Sequence, residues 1–152
     1  MKLWLVAVGR AKADAARALY CDYVERLTWP FALREVEVKR RVAGAELRRL
    51  EAEALLAAIP DGAVVVALDE RGSGLTSAAF AARLGGWRDG GVGDVAFMIG
   101  GADGLDETAR RRADLLLSFG IMTWPHMMAR AMLAEQLYRA DRILAGHPYH
   151  RA

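Results

Sequence analysis

Three short, continuous apolar runs constrain the fold of this chain of 152 residues more than any other feature. They lie at residues 3–8, 63–68 and 95–99. A run of this length is typical of a strand that is buried on both faces, and such strands occur mainly in parallel sheets. Each run is followed by a stretch with helical apolar spacing. The chain is therefore predicted to be an α/β fold, with a parallel-rich sheet and helices on both faces.

Weaker signals between these runs complete the alternation of strands and helices. Residues 31–38 end in alternating apolar and polar side chains, which predicts a half-exposed strand near an edge of the sheet. Residues 115–117 predict one further short strand. The predicted helices span residues 14–27, 45–59, 76–84, 106–113 and 127–144, with Thr76 as an N-cap. We expect one domain over residues 1–152.

The composition suits a packed domain with little net charge. Hydrophobic residues make up 54% of the chain, and 21 basic side chains against 19 acidic ones leave a formal charge of +2. This balance argues against binding nucleic acid by charge alone. The basic runs at residues 39–41 and 110–112 are interpreted as solvated surfaces. The chain contains no apolar run of about 18 residues, the length needed to span a membrane. We therefore expect a cytoplasmic protein.

Cysteine and histidine usage limits two kinds of site. Cys21 is the only cysteine, so it forms no internal disulfide, and its apolar surroundings predict a buried structural thiol. The chain has three histidines, and no two of them have the spacing of metal ligands on one helix. We therefore expect no metal site.

Three loops leave the predicted strands at the edge where open α/β sheets bind ligands. They span residues 69–74, 100–104 and 119–124. Glycines in these loops would let a ligand approach the main chain closely. For residues 100–104 a tight strand-to-helix turn without a ligand is an equal alternative. The sequence after Gly9 is not G-x-G-x-x-G, which disfavours a nucleotide-binding oxidoreductase.

The last predicted helix and the tail carry the polar chemistry of the chain. Glu135 and Arg139 are four residues apart, so they can form an ion pair on one helix face. The tail from His147 to Arg151 contains two histidines, a tyrosine and an arginine, side chains that are suited to acid–base and anion chemistry. An unstructured terminus is the alternative for the tail.

Five motifs, taken in their order along the chain, resemble the RlmH family of the SPOUT superfamily, whose members methylate a pseudouridine of large-subunit ribosomal RNA. The motifs are Leu68-Asp-x-x-Gly72, Ile99-Gly-Gly-x-x-Gly104, Met122-Thr-x-Pro-His126, Glu135-Gln-x-Tyr-Arg139 and Tyr149-His-Arg151. The resemblance covers essentially the whole chain. It implies a C-terminal trefoil knot, bound S-adenosylmethionine (SAM), a homodimer, and methylation at ring nitrogen N3 on assembled ribosomes.

The resemblance also implies which residues form the site. By position, the cofactor contacts are Leu68, Gly100, Phe119, Gly120, Ile121, Met122, Thr123 and Trp124. The residues expected to act on the RNA are Glu135, Arg139, Tyr149, His150 and Arg151. A bulky side chain at Gly100 is expected to block the cofactor and to leave the fold unchanged.

General chemistry suggests roles for these residues. A sulfonium methyl group is already activated, so the enzyme has to align the reactants and remove one proton from the base. Arg139 would stabilise the resulting anion, and Glu135 would orient Arg139. His150 is the side chain best matched to accept the proton, with water as the other candidate.

The resemblance further implies that the tail of one subunit acts at the pocket of its partner. An apolar face of the last helix with Met128, Met132 and Leu137 would pack against the second copy. The rival interpretation of the whole chain is a non-catalytic, ribosome-associated RNA-binding protein. It would explain the basic runs but not the glycine loops.

Overall fold

A computed structural model describes residues 1–149 and contains one sheet of five parallel strands. The strands are β1 (Lys2–Val8), β2 (Phe31–Val36), β3 (Val64–Gly74), β4 (Asp94–Ile99) and β5 (Leu115–Ser118). The helices are α1 (Ala15–Glu25), α2 (Gly44–Ala58), α3 (Ser77–Asp89), α4 (Glu107–Arg112) and α5 (His126–Leu144). The strand order is β2-β1-β4-β3-β5. The prediction of a parallel α/β sheet is confirmed.

Helices cover both faces of the sheet, which explains why its central strands are apolar throughout. Leu5 and Phe97 face a core that is formed with α1, α3 and α5. Val6 and Met98, the next residues along the same strands, face a second core with α2 and α4. All four side chains are 0% exposed. Because successive strand residues point to opposite faces, burial of both faces requires a continuous apolar run.

Several predicted boundaries and one burial prediction are wrong. β3 continues to Gly74, and Gly72 allows this extension because a Cβ there would lie 2.6 Å from the Leu116 carbonyl carbon. α3 continues through two glycines to Asp89, and the first of them, Gly85, packs closely on the Leu144 side chain, whose Cδ2 would lie 2.9 Å from an added Cβ. β2 ends at Val36, two residues early, although its edge position is confirmed. Cys21 is half-buried rather than buried.

Buried polar side chains near both ends of α5 bond this helix to β2, to the end of β1 and to the segment after α1. Arg130 is 2% exposed, and its guanidinium donates hydrogen bonds to Glu35 Oε1 (2.6 Å) and to the Gly9 carbonyl (2.8 Å). Near the other end, Asp141 accepts from the main-chain N–H (2.8 Å) and the hydroxyl (2.7 Å) of Thr28. These bonds hold α5 against β1, β2 and the end of α1.

The environment of Glu35 favours its ionised form. Burial alone would raise its pKa, but hydrogen bonds from Arg130 and from the Ala11 N–H outweigh burial, and the pKa of Glu35 is lowered. Arg130 therefore faces an ionised partner near neutral pH. Within residues 1–149, no helix is both long enough and apolar enough to cross a bilayer.

Replacing Arg130 by Met should lower the free energy of unfolding by about 1–3 kcal/mol, because it leaves the Val8 and Gly9 carbonyls without their buried donor and Glu35 without its cation. Urea denaturation measures this loss. The matched control is Arg10→Ala, which removes an exposed ion pair with Glu37 and should cost less than about 1 kcal/mol. Equal stability of the two variants would show that Arg130 does not anchor α5.

Candidate functional site

A cavity of about 630 Å³ lies at the carboxyl ends of β3, β4 and β5. Its walls are residues 68–71 within β3, the loops that follow β4 and β5, the start of α4 and the first turn of α5. The prediction of a loop at residues 69–74 is wrong, because these residues belong to β3. The carboxyl edge of a parallel sheet is the general ligand site of α/β folds, and the volume lies in the usual range for small-molecule sites. This cavity is the candidate functional site.

The loop after β4 is a tight turn that packs against itself. A Cβ at Gly100 would lie 2.9 Å from both the carbonyl carbon and the carbonyl oxygen of Gly104. The Gly104 N–H donates to the Gly101 carbonyl at 3.1 Å, and Gly104 has a φ of +79°. The expectation that a side chain at Gly100 would leave the fold unchanged is therefore wrong. The space beside Gly100 is taken by the chain itself, although Gly100 still lines the cavity.

The segment between β5 and α5 forms the third wall. Seven of the eight predicted cofactor residues line the cavity: Leu68, Gly100, Phe119, Gly120, Met122, Thr123 and Trp124. The exception is Ile121, whose side chain is 95% exposed and does not line the cavity. Gly120 has a φ of +115°, a backbone conformation that favours glycine. Its N–H donates to the Ser118 hydroxyl at 3.1 Å, which fixes the start of the segment.

An arginine of the basic run at residues 110–112 ties two of the cavity loops together. Arg110 donates to Asp69 Oδ2 (3.3 Å), which follows the apolar run of β3, and to the Leu105 carbonyl, which follows β4. The two side chains are only 14% and 7% exposed. Arg110 is thus not the solvated residue that the sequence suggested, whereas Arg111 is exposed. The contact of Arg110 with Asp69, 41 residues away in the sequence, explains why Arg110 is largely buried and Arg111 is not.

Sequence reasoning gave no role to several other groups that line the cavity. They include Arg48, Asp69, Arg110, His126 and Ala129. His126 begins α5, and burial, with a smaller effect of the Arg130 charge, lowers its pKa. A neutral imidazole therefore faces the cavity near pH 7. His126 is the last residue of the motif Met122-Thr-x-Pro-His126, so the motif could have identified it as a candidate site residue.

The predicted RNA-side residues that the structure describes lie together beside α5. Arg139 Nε donates to Glu135 Oε1 at 2.9 Å, so the predicted pair is confirmed. The Tyr149 hydroxyl lies 3.4 Å from the same oxygen, and the Arg139 guanidinium lies 5.2 Å from the Tyr149 ring centre. Burial raises the pKa of Tyr149 to about 12, so this phenol keeps its proton at neutral pH. His150 and Arg151 lie outside the described residues.

A second, apolar groove of about 710 Å³ lies on the other side of the segment after β5. It shares Phe119, Gly120 and Trp124 with the first cavity and extends to Glu135. The exposed side chains of Leu19 (50%) and Met128 (46%) line it. Met132 also lines the groove, but Leu137 is 0% exposed within the core of its own chain. The expectation that Leu137 forms part of an exposed apolar face is wrong.

Comparison with known proteins identifies relatives over the whole chain. A family model described as "Predicted SPOUT methyltransferase" matches residues 1–150. A protein of Rhodospirillum centenum named ribosomal RNA large subunit methyltransferase H is 67% identical over 152 residues, which is 100% of both chains. A protein of the same name from Paramagnetospirillum magneticum is 60% identical over 151 residues and 99% of both chains.

Solved structures share the fold at low sequence identity. A methylase family protein from Haemophilus influenzae superposes with a TM-score of 0.58 at 12% identity, over 99% of this chain and 70% of its own. A Legionella pneumophila methyltransferase, solved with its bound cofactor SAM, gives a TM-score of 0.50 at 14% identity, over 92% of this chain and 66% of its own.

Gly100→Ala should lower the free energy of unfolding by about 1–3 kcal/mol, because the new methyl group would overlap the main chain of Gly104. Chemical denaturation measures the change. Gly86→Ala is the matched control: it lies in α3, where nothing outside its own helix turn lies within 4 Å of the added Cβ, and should stabilise the protein by roughly 0.5–1 kcal/mol. A stabilising Gly100→Ala would contradict the tight turn.

Proposed function

We propose that this chain, which belongs to the SPOUT methyltransferase family, transfers the methyl group of SAM to ring nitrogen N3 of a pseudouridine in large-subunit ribosomal RNA. The observation that carries the proposal is a cavity walled by main-chain loops at the carboxyl edge of the sheet. The full-length relative at 67% identity, named as a methyltransferase of large-subunit ribosomal RNA, supports the reaction and the substrate.

The cavity residues suit SAM, which supplies an activated methyl group when it is bound. We assign the cofactor contacts to Leu68, Gly100, Phe119, Gly120, Met122, Thr123 and Trp124, and leave out the exposed Ile121. Main-chain groups of the glycine loop and of the segment after β5 would bind the polar parts of the cofactor. Asp69 and Glu70, which also line the cavity, supply negative charge near a cofactor that carries a sulfonium cation.

The residues beside Glu135 would act on the RNA base. The hydrogen bond from Arg139 to Glu135 orients the guanidinium, which can stabilise the anion that forms when the ring nitrogen loses its proton. Tyr149 keeps its proton, so it can donate a hydrogen bond but cannot serve as the base. We assign proton removal to His150, with water as the alternative, and RNA contact to Arg151.

The path of the chain supports a C-terminal trefoil knot in a single domain over residues 1–152. β5 is an edge strand, yet α5 returns to bond the end of β1 through Arg130. The connecting segment therefore crosses beside residues 68–71 of β3 and the loop that follows β4. A crystal structure in which this segment follows a different path would contradict the proposed knot.

The apolar groove supports a homodimer. Leu19, Trp124 and Met128 are 40–50% exposed and lie together beside the cavity. A second copy of the chain would remove this apolar surface from water. Since the proposed substrate is the large subunit of assembled ribosomes, we place the enzyme in the cytoplasm.

Ribosomes from a strain that lacks this protein provide the test of the function. Incubation with the protein and labelled SAM should transfer one methyl group to a pseudouridine of the large-subunit RNA, detected by mass spectrometry of digested RNA. Binding of the ribosome without methyl transfer would instead support the non-catalytic RNA-binding alternative. Methylation of any other nucleotide would overturn the proposed substrate atom.

Arg139→Ala should lower the rate of methyl transfer by roughly 100-fold or more, because it removes stabilisation of charge in the transition state. Binding of SAM, measured by calorimetry, should stay within about twofold, since Arg139 does not line the cavity. Arg88→Ala, which breaks an exposed pair with Asp89 on α3, is the control and should change neither quantity. A folded Arg139→Ala enzyme with normal turnover would reduce Arg139 to a structural ion-pair partner.

Deletion of residues 149–152 should abolish methylation and leave SAM binding intact. A mixed dimer decides which subunit the tail serves. One subunit lacks the tail; the other carries Ala129→Phe, which fills its own cavity. If the tail acts across the dimer, as proposed, the mixed dimer keeps one working site. If the tail acts in its own subunit, where Tyr149 lies near Glu135, the mixed dimer is inactive.

A further inference from the structure

Glu51 is a buried acidic residue to which the proposed reaction assigns no role. It lies on α2 and is 9% exposed, and within residues 1–149 its Oε2 has no hydrogen-bond partner. No basic side chain of the described part forms an ion pair with it. A buried carboxylate without partners destabilises a folded protein. Its presence therefore needs an explanation other than the stability of the free enzyme.

The Glu51 carboxylate lies directly against the loop between β4 and α4. A Cβ at Gly101 would lie 3.0 Å from both Glu51 oxygens, so the carboxylate packs closely on the main chain there. Gly101 itself lines the cavity, whereas Glu51 does not. Glu51 is thus placed behind the cavity wall, in contact with the main chain that would bind the cofactor.

Local electrostatics oppose the ionised form of Glu51 in the free protein. Burial, and to a smaller extent the charge of Asp103 in the same loop, raise the pKa of Glu51. Arg48, one turn earlier on α2, lines the cavity, and in the described part of the chain it forms no ion pair with Glu51. The carboxylate instead lies against the main chain at Gly101.

We propose that Glu51 is a positioning residue of the SAM site, whose carboxylate accepts hydrogen bonds from main-chain N–H groups of residues 100–104 when SAM is bound. These bonds fix the loop in the conformation that contacts the cofactor. The inference rests on the proposed function, because it assigns Glu51 to the same site. It predicts that Glu51 weakens the free protein and strengthens the complex, two effects that a purely structural residue would not combine.

Glu51→Gln tests the inference, because glutamine keeps the shape and removes the charge. Two quantities are measured on the full-length protein: the free energy of unfolding without ligand, and the Kd for SAM by calorimetry. We expect unfolding stability equal to or above that of the wild type, and SAM binding weaker by roughly tenfold. At saturating SAM, kcat should be unchanged while the KM for SAM rises. Glu53→Gln on the same helix removes the charge of an exposed residue and should change none of these.

Two results would overturn the inference. Wild-type SAM affinity in Glu51→Gln would show that the carboxylate does not act in the complex. A loss of stability in parallel with affinity would make Glu51 an ordinary structural residue. If the wild-type protein and Glu53→Gln also fail to bind SAM, the proposed function itself fails and this inference falls with it. The wild-type measurement therefore separates the two failures.

Discussion

The architecture of the site depends on one buried cation. Arg130 binds Glu35 of β2 and the carbonyls at the end of β1, and so holds the start of α5 on the far side of the sheet from β5. Residues 119–125 must bridge three strand spacings, roughly 14 Å, although the segment can reach roughly 25 Å. The excess length bulges outward, which explains the exposure of Ile121 and Met122. The wall of the cavity is therefore held by an anchor that lies outside it.

The bulging segment also separates two chemically different spaces. The cavity on one side is lined by glycine main chain and by charged groups such as Asp69 and Arg110. The groove on the other side is apolar and ends at Glu135. Phe119, Gly120 and Trp124 face both. Under the proposed assignment this segment contacts the cofactor, so its conformation affects cofactor binding.

Features that leave a local signal could be predicted from the sequence. Features that depend on contacts between residues distant in sequence could not. The central strands were predictable because burial on both faces leaves a local signal, an apolar run. The extensions of β3 and α3 were not, because Gly72 and Gly85 are explained by contacts with Leu116 and Leu144, which are distant in sequence. Arg110 was interpreted as a solvated residue for the same reason. The candidate ligand loops were predicted from the ends of the strands, and the individual cofactor contacts came from the family resemblance, which carries information on tertiary structure that periodicity lacks. Position alone could not show that Ile121 is exposed and does not line the cavity.

α5 borders the cavity, the groove and the hydrophobic core. The helical period determines which of these three each of its residues faces. His126 and Ala129 face the cavity, Arg130, Leu133 and Leu137 are buried in the core, and Met128, Met132 and Glu135 line the groove. Residues three, four or seven apart share a helix face, so one helix presents all three sets without a break. Because the helix is rigid, the separation between His126 and Arg139 is fixed at roughly 20 Å along its axis. Anchoring α5 through Arg130 thus sets the cavity wall and the position of the Glu135–Arg139 pair together, and a shift of the helix would disturb both.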